Sequence, residues 1–180
     1  GQVLASVCGG ELQGIQSVIE NEGADEWARG AALSSLVTLV AAGQKSRDEI
    51  VSYFASLFRG KLVRQCSHVW DTLASYSSDL YPTELLDDIE RAYQDGLVDP
   101  GYIGFDDIKR DLAMGKDQVL ARLADDPHRR LVEDTVKEMG WWACFRDDRP
   151  TQAKNAGPAS AKADPQYVVA SPQSKSTKPK

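Results

Sequence analysis

The stretch DEWARGAALSSLVTLVAA, residues 25–42, has the apolar spacing of an α-helix that packs against a core. Its apolar residues recur at i, i+1, i+4, i+7 and i+8, which places them on one face of a helix with 3.6 residues per turn. Asp25 precedes the pattern, and Gly43 follows it at a position where helices commonly end. The residues that match the spacing are Ala32, Leu33, Leu36, Leu39 and Val40.

Outward from this segment, the helical spacing continues in both directions along the chain. No comparable run alternates with the period of two that a β-strand requires. Ser46 and Glu49 form a capping box at the start of the next helix. The sequence therefore predicts an all-α fold. The predicted helices cover residues 11–22, 25–42, 46–59, 65–78, 82–95, 105–114, 116–125 and 130–140.

The spacing itself repeats along the chain. The pattern at Leu33 recurs at Trp70, 37 residues later, and the pattern at Ile50 recurs at Leu85, 35 residues later. A helix pair that recurs at such a period is typical of a solenoid. One pair cannot bury its own apolar face, so successive pairs stack on each other. We therefore predict an α-α superhelix, a solenoid of about four helix pairs.

Residues 25–36 resemble the second helix of a HEAT repeat, where an aspartate is followed by an arginine and then by alanines and leucines. In this comparison the small side chains of Ala31 and Ala32 allow close helix approach. Leu33 and Leu36 then fill the core. The resemblance implies that the solenoid predicted from the repeated spacing is HEAT-like.

A broader resemblance is carried by six stretches of sequence. These are Leu4-Ala5-Ser6-Val7-Cys8, Ala24-Asp25-Glu26, Arg29-Gly30-Ala31-Ala32-Leu33, Glu84-Leu85-Leu86, Ala92-Tyr93-Gln94-Asp95-Gly96-Leu97-Val98-Asp99-Pro100 and Met139-Gly140-Trp141-Trp142-Ala143-Cys144-Phe145. On these residues the chain resembles the bacterial domain-of-unknown-function family eleven eighty-six, across essentially all of residues 1–145. The family implies a HEAT-like helical fold, offers no settled activity, and often has more chain before this region.

The composition changes near Arg146 and divides the chain in two. Residues 146–180 are rich in Pro, Ser, Ala and Lys, and such a segment buries too little apolar surface to offset its ordering entropy. We expect a HEAT-like helical-repeat domain over residues 1–145 and a disordered tail over residues 146–180. Many members of the resembling family carry a zinc motif at the C-terminal end, but this tail contains no cysteine or histidine. That zinc site is therefore not carried over.

The charge distribution bears on the class of partner. Residues 1–145 contain 14 Lys and Arg against 24 Asp and Glu, a net charge of −10, whereas the tail carries +4. An acidic domain repels phosphate backbones, so we expect no nucleic-acid partner. No apolar run approaches the length of a membrane span, and no signal peptide is recognisable, so we expect no membrane association. Three widely spaced cysteines make no disulfide framework, which favours reduced thiols in a cytoplasmic protein.

Catalytic and metal-binding patterns are weak. Cys66 lies close to His68, but a zinc site needs three or four ligands, and we expect a buried thiol and a surface imidazole instead. Asp87, Asp88 and Glu90 are adjacent carboxylates that we expect on a solvated helix face. The sequence also lacks a phosphate loop, a GxSxG elbow and an HExxH motif. We therefore predict no catalytic residue, cofactor or metal.

The candidate partner-binding residues are mostly aromatic. Trp141 and Trp142 are adjacent, so both rarely enter one core; we expect end packing, with a surface anchor as the alternative. For Trp27 the same two interpretations, packing and a surface anchor, stay open. Arg29 is expected to donate hydrogen bonds to neighbouring turns rather than to a ligand. His68 completes the set of possible contacts.

Two classes of function remain open at this point. The first is a non-enzymatic protein-interaction module, a scaffold or adaptor that binds a protein or peptide along one face of the solenoid. The alternative is an enzyme or small-molecule-binding regulator with a pocket assembled between helices, because a fold does not decide function. A pocket that joined His68, Asp71 or Arg29 to a strongly shifted ionisable group would favour the alternative. DNA binding is disfavoured by the net charge.

Overall fold

A computed structural model of the chain describes residues 1–145, and the regular structure in this range is helical throughout. The prediction of an all-α protein is confirmed. The predicted disordered tail lies outside the described residues. The α-helices are α1 (Gln2–Val7), α2 (Leu12–Glu20), α3 (Glu26–Ala41), α4 (Arg47–Ser56), α5 (His68–Asp79), α6 (Leu86–Gln94), α7 (Phe105–Met114), α8 (Lys116–Asp125) and α9 (Thr135–Met139).

Helix α3 lies at the centre of the domain. It packs mainly against α1, α2 and α5, and also touches α4 and α8. A helix with neighbours on so many sides needs apolar or small residues around much of its circumference. Its buried residues are Gly30, Ala32, Leu33, Ser35, Leu36, Val37, Thr38 and Leu39. Helix α3, which residues 25–42 predict, therefore lies at the centre of the core, while the solenoid arrangement stays a prediction.

Side-chain caps define the starts of the central helices. The Asp25 carboxylate accepts hydrogen bonds from the backbone N–H groups of Trp27 and Ala28, at 3.0 and 3.1 Å. Ser46 Oγ accepts from the backbone N–H of Glu49 at 3.2 Å, which begins α4 where the capping residues predict. Each cap satisfies donors that have no partner inside the helix.

A buried arginine joins α4 to the turn between α5 and α6. The Arg47 side chain is only 8% exposed, and its Nε and Nη2 donate to the carbonyl oxygens of Leu80 and Tyr81 at 2.6 and 2.5 Å. Nη1 and Nη2 also donate to the two carboxylate oxygens of Glu84, at 2.9 and 2.7 Å. Tyr81 has a φ of +56°, so this network holds a backbone conformation that side-chain-bearing residues rarely adopt. We refer to the network as the Arg47 clamp.

Two predicted helices differ at one end, and one helix was missed. Helix α4 continues past Ser56 as a π-helical turn, Leu57–Lys61, within which Gly60 has a φ of +146°. The helix predicted from residue 82 begins instead as a 3₁₀ turn, Thr83–Leu85, before α6. The short helix α1 was not predicted.

The predicted helix 130–140 is wrong over its first half. After a 3₁₀ turn, Pro127–Arg129, residues 130–134 form an irregular segment that contacts α1. Gln2 Nε2 donates to the carbonyl oxygens of Pro127 and Arg130, both at 3.1 Å. Such bonds span more than 120 residues of chain, so no local pattern predicts them.

Within residues 1–145, each helix is either too short or too polar to cross a lipid bilayer.

Candidate functional site

Three aromatic rings from separate parts of the chain meet at the surface. The Trp27 and His68 ring centroids lie 3.8 Å apart with an interplanar angle of 35°. The Tyr102 ring meets His68 edge-on at 5.3 Å. Trp27 is 64% exposed and Tyr102 is 49% exposed, so a large part of these two rings faces solvent. We name Trp27, His68 and Tyr102 the aromatic shelf.

Trp27 is positioned by the start of α3. Its backbone N–H is one of the two donors that Asp25 caps, so the first turn of the helix is fixed at this residue. The indole then extends outward from the turn rather than into the core, as its exposure shows. Large exposed apolar side chains of this kind are a common feature of binding surfaces.

His68 is positioned by contacts between α3 and α5. Its backbone N–H donates to Glu26 Oε2 at 2.9 Å, which ties the first residue of α5 to the first turn of α3. Gly30 lets the helices approach closely, because a Cβ atom there would lie 3.3 Å from the Thr72 side chain and 3.5 Å from His68 Cδ2. The resemblance to a HEAT repeat gave the close-approach role to Ala31 and Ala32; Ala31 is exposed, and Gly30 makes this contact.

Tyr102 is positioned by the turn after α6. The buried carboxylate of Asp71, on α5, accepts from the backbone N–H of Asp99 at 2.7 Å. Asp99 Oδ1 in turn accepts from the backbone N–H of Gly101 at 2.8 Å. The carbonyl oxygen of Asp99 accepts from the backbone N–H of Tyr102 at 3.0 Å. Partial burial raises the pKa of the Tyr102 hydroxyl above its ordinary value. The distinctive stretch around Asp99 therefore serves to dock this turn on α5.

A polar cleft of about 370 Å³ borders the shelf. It lies between the α2–α3 turn and the segment that leads into α5. Arg29, which the sequence placed among the candidates, lines this cleft and donates from Nε to the carbonyl oxygen of Ile19 at 2.8 Å. That bond satisfies a carbonyl in the last turn of α2. The lining includes Glu22, Glu26, Arg29, Cys66, Ser67 and Trp70.

Cys66 does not form the buried thiol that the sequence suggested. It is exposed, in the loop before α5. Among residues 1–145, no group of three or more His, Cys, Asp and Glu side chains is close enough to hold a metal ion.

Trp141 and Trp142 are not buried by end packing. They are 66% and 45% exposed, and their rings meet edge-on with centroids 6.3 Å apart. The three adjacent carboxylates on α6 do not act together. Asp87 and Glu90 are exposed, and Asp88 pairs with Arg59 at 2.8 Å.

The ionisable groups with the largest pKa shifts lie outside the cleft. The Arg47 guanidinium lowers the pKa of Glu84 to about 2. Burial raises the pKa of Tyr93 to about 12, and burial together with Glu20 raises that of Tyr53 further. None of these residues lines the cleft. The cleft therefore places Arg29 near His68, and it contains none of these three ionisable groups.

The sequence named three of the residues that meet here: Trp27, Arg29 and His68. It did not name Tyr102, which is the third ring of the shelf, or Glu26, which accepts the hydrogen bond from the His68 backbone. The only local signal for Tyr102 was its place directly after a Pro-Gly turn, which carries no functional meaning by itself.

Comparison with known protein families covers the whole described region. Residues 1–146 match DUF1186, a family described as protein of unknown function. The chain belongs to the DUF1186 family. The resemblance inferred from the sequence stretches is therefore confirmed at the level of the family, and its HEAT-like repeat description stays a prediction.

Two curated relatives of this DUF1186 chain come from chlamydiae. An uncharacterized protein of Chlamydia muridarum is 33% identical over 142 residues, which cover 78% of this chain and 56% of that protein. An uncharacterized protein of Chlamydia trachomatis serovar D is also 33% identical over 142 residues, covering 78% of this chain and 55% of that protein. The chain thus spans about half the length of the curated relatives it matches. No solved structure matches it.

Proposed function

We propose that this DUF1186 chain is a non-enzymatic protein-interaction module, a scaffold or adaptor that binds a protein or peptide through the aromatic shelf and the bordering cleft. The single observation that carries the proposal is the exposure of Trp27 at the capped first turn of α3. Tryptophan is among the residues most enriched at binding hot spots. A rigid, exposed aromatic side chain contributes a large contact area while losing little conformational entropy on binding.

The support beneath the shelf favours binding over catalysis. The backbone N–H group of each shelf residue donates a hydrogen bond within the domain, and the His68 ring contacts both of the other rings, which favours a surface that is formed before a partner arrives. Pre-organisation of this kind improves affinity by reducing the ordering cost. The cleft is open and polar, and the three strongly shifted groups of the domain lie elsewhere. These features favour a recognition surface over an acid–base centre.

The finer features predicted from the sequence form part of the same proposal. We place the helices in a HEAT-like solenoid whose stacked pairs present one extended surface. We place the protein in the cytoplasm, with no membrane or nucleic-acid partner. The net charge of −10 over residues 1–145 supports the exclusion of nucleic acid.

Affinity enrichment from a bacterial lysate tests the proposal. The bait is the full chain, compared with Trp27→Ala and with Trp141→Ala, which removes another exposed tryptophan as a matched control. We expect proteins that the wild type and Trp141→Ala enrich and that Trp27→Ala loses. A chain ending at Phe145 should retain the same proteins. Equal enrichment by all variants, or no enrichment by any, would exclude the shelf as the binding surface.

A further inference from the structure

We propose that the aromatic shelf recognises an arginine side chain of a basic peptide, stacked on the open face of Trp27. This inference rests on the proposed interaction function and adds the chemical class of the partner.

The geometry leaves one face of Trp27 available. His68 stacks against the indole with centroids 3.8 Å apart, and 64% of Trp27 is nevertheless exposed. Because His68 covers one face, the exposed area comes largely from the opposite face and the ring edge. A flat ligand group can stack on that open face.

The charges beside the shelf favour a cation. Glu26 contacts the His68 backbone and lines the cleft together with Glu22, and Asp25 caps the turn that carries Trp27. The Glu26 carboxylate accepts from His68 through Oε2, and a carboxylate has further acceptor capacity for a second donor. Arg29 lies two positions after Trp27 on the helix, so the two side chains point to different sides. Its Nε is already engaged by Ile19.

Other aromatic rings in the domain already carry cations. Within residues 1–145 a basic group lies over four aromatic rings, at distances of 4.6 to 5.5 Å from their centroids. Trp27 has no such partner in the described part of the chain, although tryptophan is the best aromatic acceptor for a cation. The four pairs are Lys61 with Tyr53, Arg64 with Trp70, Lys109 with Phe105, and Arg129 with Tyr76.

Arginine fits this surface better than lysine. Its guanidinium group is planar, weakly hydrated and able to stack on an aromatic face while its N–H groups donate to a carboxylate. The shelf offers a flat ring with a carboxylate next to it. A lysine ammonium group is a compact, strongly hydrated charge and gains less from a flat ring at an exposed site.

NMR titration of the full chain with short peptides tests the assignment. The probe is the acetylated and amidated peptide Gly-Arg-Gly, compared with the same peptide containing citrulline, which has the shape of arginine without its charge, and with Gly-Lys-Gly. The readout is the indole N–H signal of Trp27, assigned with Trp27→Ala. We expect saturable shifts with arginine, at least about tenfold weaker binding with citrulline, and weaker binding with lysine.

Two variants separate charge from shape. In both variants binding is followed on the backbone amide signal of His68, which lies at the shelf. Trp27→Ala should abolish the saturable binding, while Trp141→Ala should leave it unchanged. Glu26→Gln keeps the acceptor for the His68 backbone but removes the charge, and should weaken arginine binding by about threefold or more. Binding of citrulline or lysine as tight as that of arginine would overturn the assignment, as would unchanged binding by Trp27→Ala in a variant whose remaining spectrum is native.

The outcome is separable from that of the proposed function. If the lysate experiment gives a partner that depends on Trp27 while the peptides show no preference for arginine, the interaction function stands and the arginine inference fails. If arginine binds at Trp27 but no partner depends on that residue, the inference stands and the interaction function fails.

Discussion

The Arg47 clamp provides a quantitative test of what holds the domain together. Glu84→Gln preserves the size of the side chain but removes the carboxylate charge that Nη1 and Nη2 of Arg47 contact. Arg47 stays buried and charged in the variant, so part of its charge loses compensation. We therefore expect the variant to have a lower free energy of unfolding at pH 7.

The size of this effect can be worked out from the pKa of Glu84. Arg47 lowers that pKa from 4.5 to about 2. Without screening, such a shift would correspond to about 3 kcal/mol at about 1.4 kcal/mol per pKa unit. The Glu84 side chain is 52% exposed, so water screens the interaction and reduces its contribution. We expect a loss of about 1–2 kcal/mol, which lowers Tm by about 5 °C in a domain of this size.

The pH dependence has a definite sign. A carboxylate whose pKa is lower in the folded protein stabilises the fold above its unfolded pKa, and this contribution disappears as pH falls through the folded pKa. For Glu84 the window runs from 4.5 down to about 2. The difference in stability between wild type and Glu84→Gln should stay constant from neutral pH to about pH 5.5 and then shrink as pH is lowered.

Urea unfolding at several pH values, followed by circular dichroism, measures this difference. Glu90→Gln is the matched control, because Glu90 is exposed on α6 and its side chain has no ion pair or hydrogen bond within residues 1–145. The control should change stability by less than about 0.5 kcal/mol. An unchanged stability of Glu84→Gln at pH 7, or a difference that grows as pH falls, would refute the reasoning.

Three further changes test the core, the clamp and the support of the shelf. Arg47→Met leaves two backbone carbonyls without their donor and should destabilise the domain by about 3 kcal/mol in urea unfolding. Asp71→Ala removes the acceptor for the Asp99 backbone and should cost about 2 kcal/mol, with chemical shift changes at Tyr102 that a distant cavity would not cause. Trp70→Ala, at a site 1% exposed, should cost about 3–5 kcal/mol, whereas Trp141→Ala should cost less than about 0.5 kcal/mol by the same assay.

Part of the fold was predictable because its causes are local. The helical period of residues 25–42 depends on side chains three and four positions apart, and this period predicts α3 within two residues of its observed ends. Caps act within the first turn of a helix, which is why Ser46 marked the start of α4 correctly. Residues 130–134 depart from the predicted helix, and there the chain makes tertiary contacts with α1.

The candidate site was less predictable because its residues are distant in sequence. Trp27 could be named from its type and its place before an apolar run, but its exposure could not be distinguished from core packing. The role of Glu26 depends on the backbone of His68, and that of Asp71 depends on the backbone of Asp99. Each of these bonds links segments separated by 28 or 42 residues, and neither leaves a spacing pattern in the sequence.

By itself, the sequence determined the helical class of this protein, the position of its central helix, the acidic charge of residues 1–145 and its membership of a family. These properties follow from composition, from spacing within one or two helical turns and from recognisable stretches of residues. The tertiary structure alone decided that Gly30 lets α3 and α5 approach closely and that Trp27, His68 and Tyr102 form one exposed surface. Such a surface arises from packing and hydrogen bonds between distant segments, whose energies depend on proximity in space rather than on order along the chain.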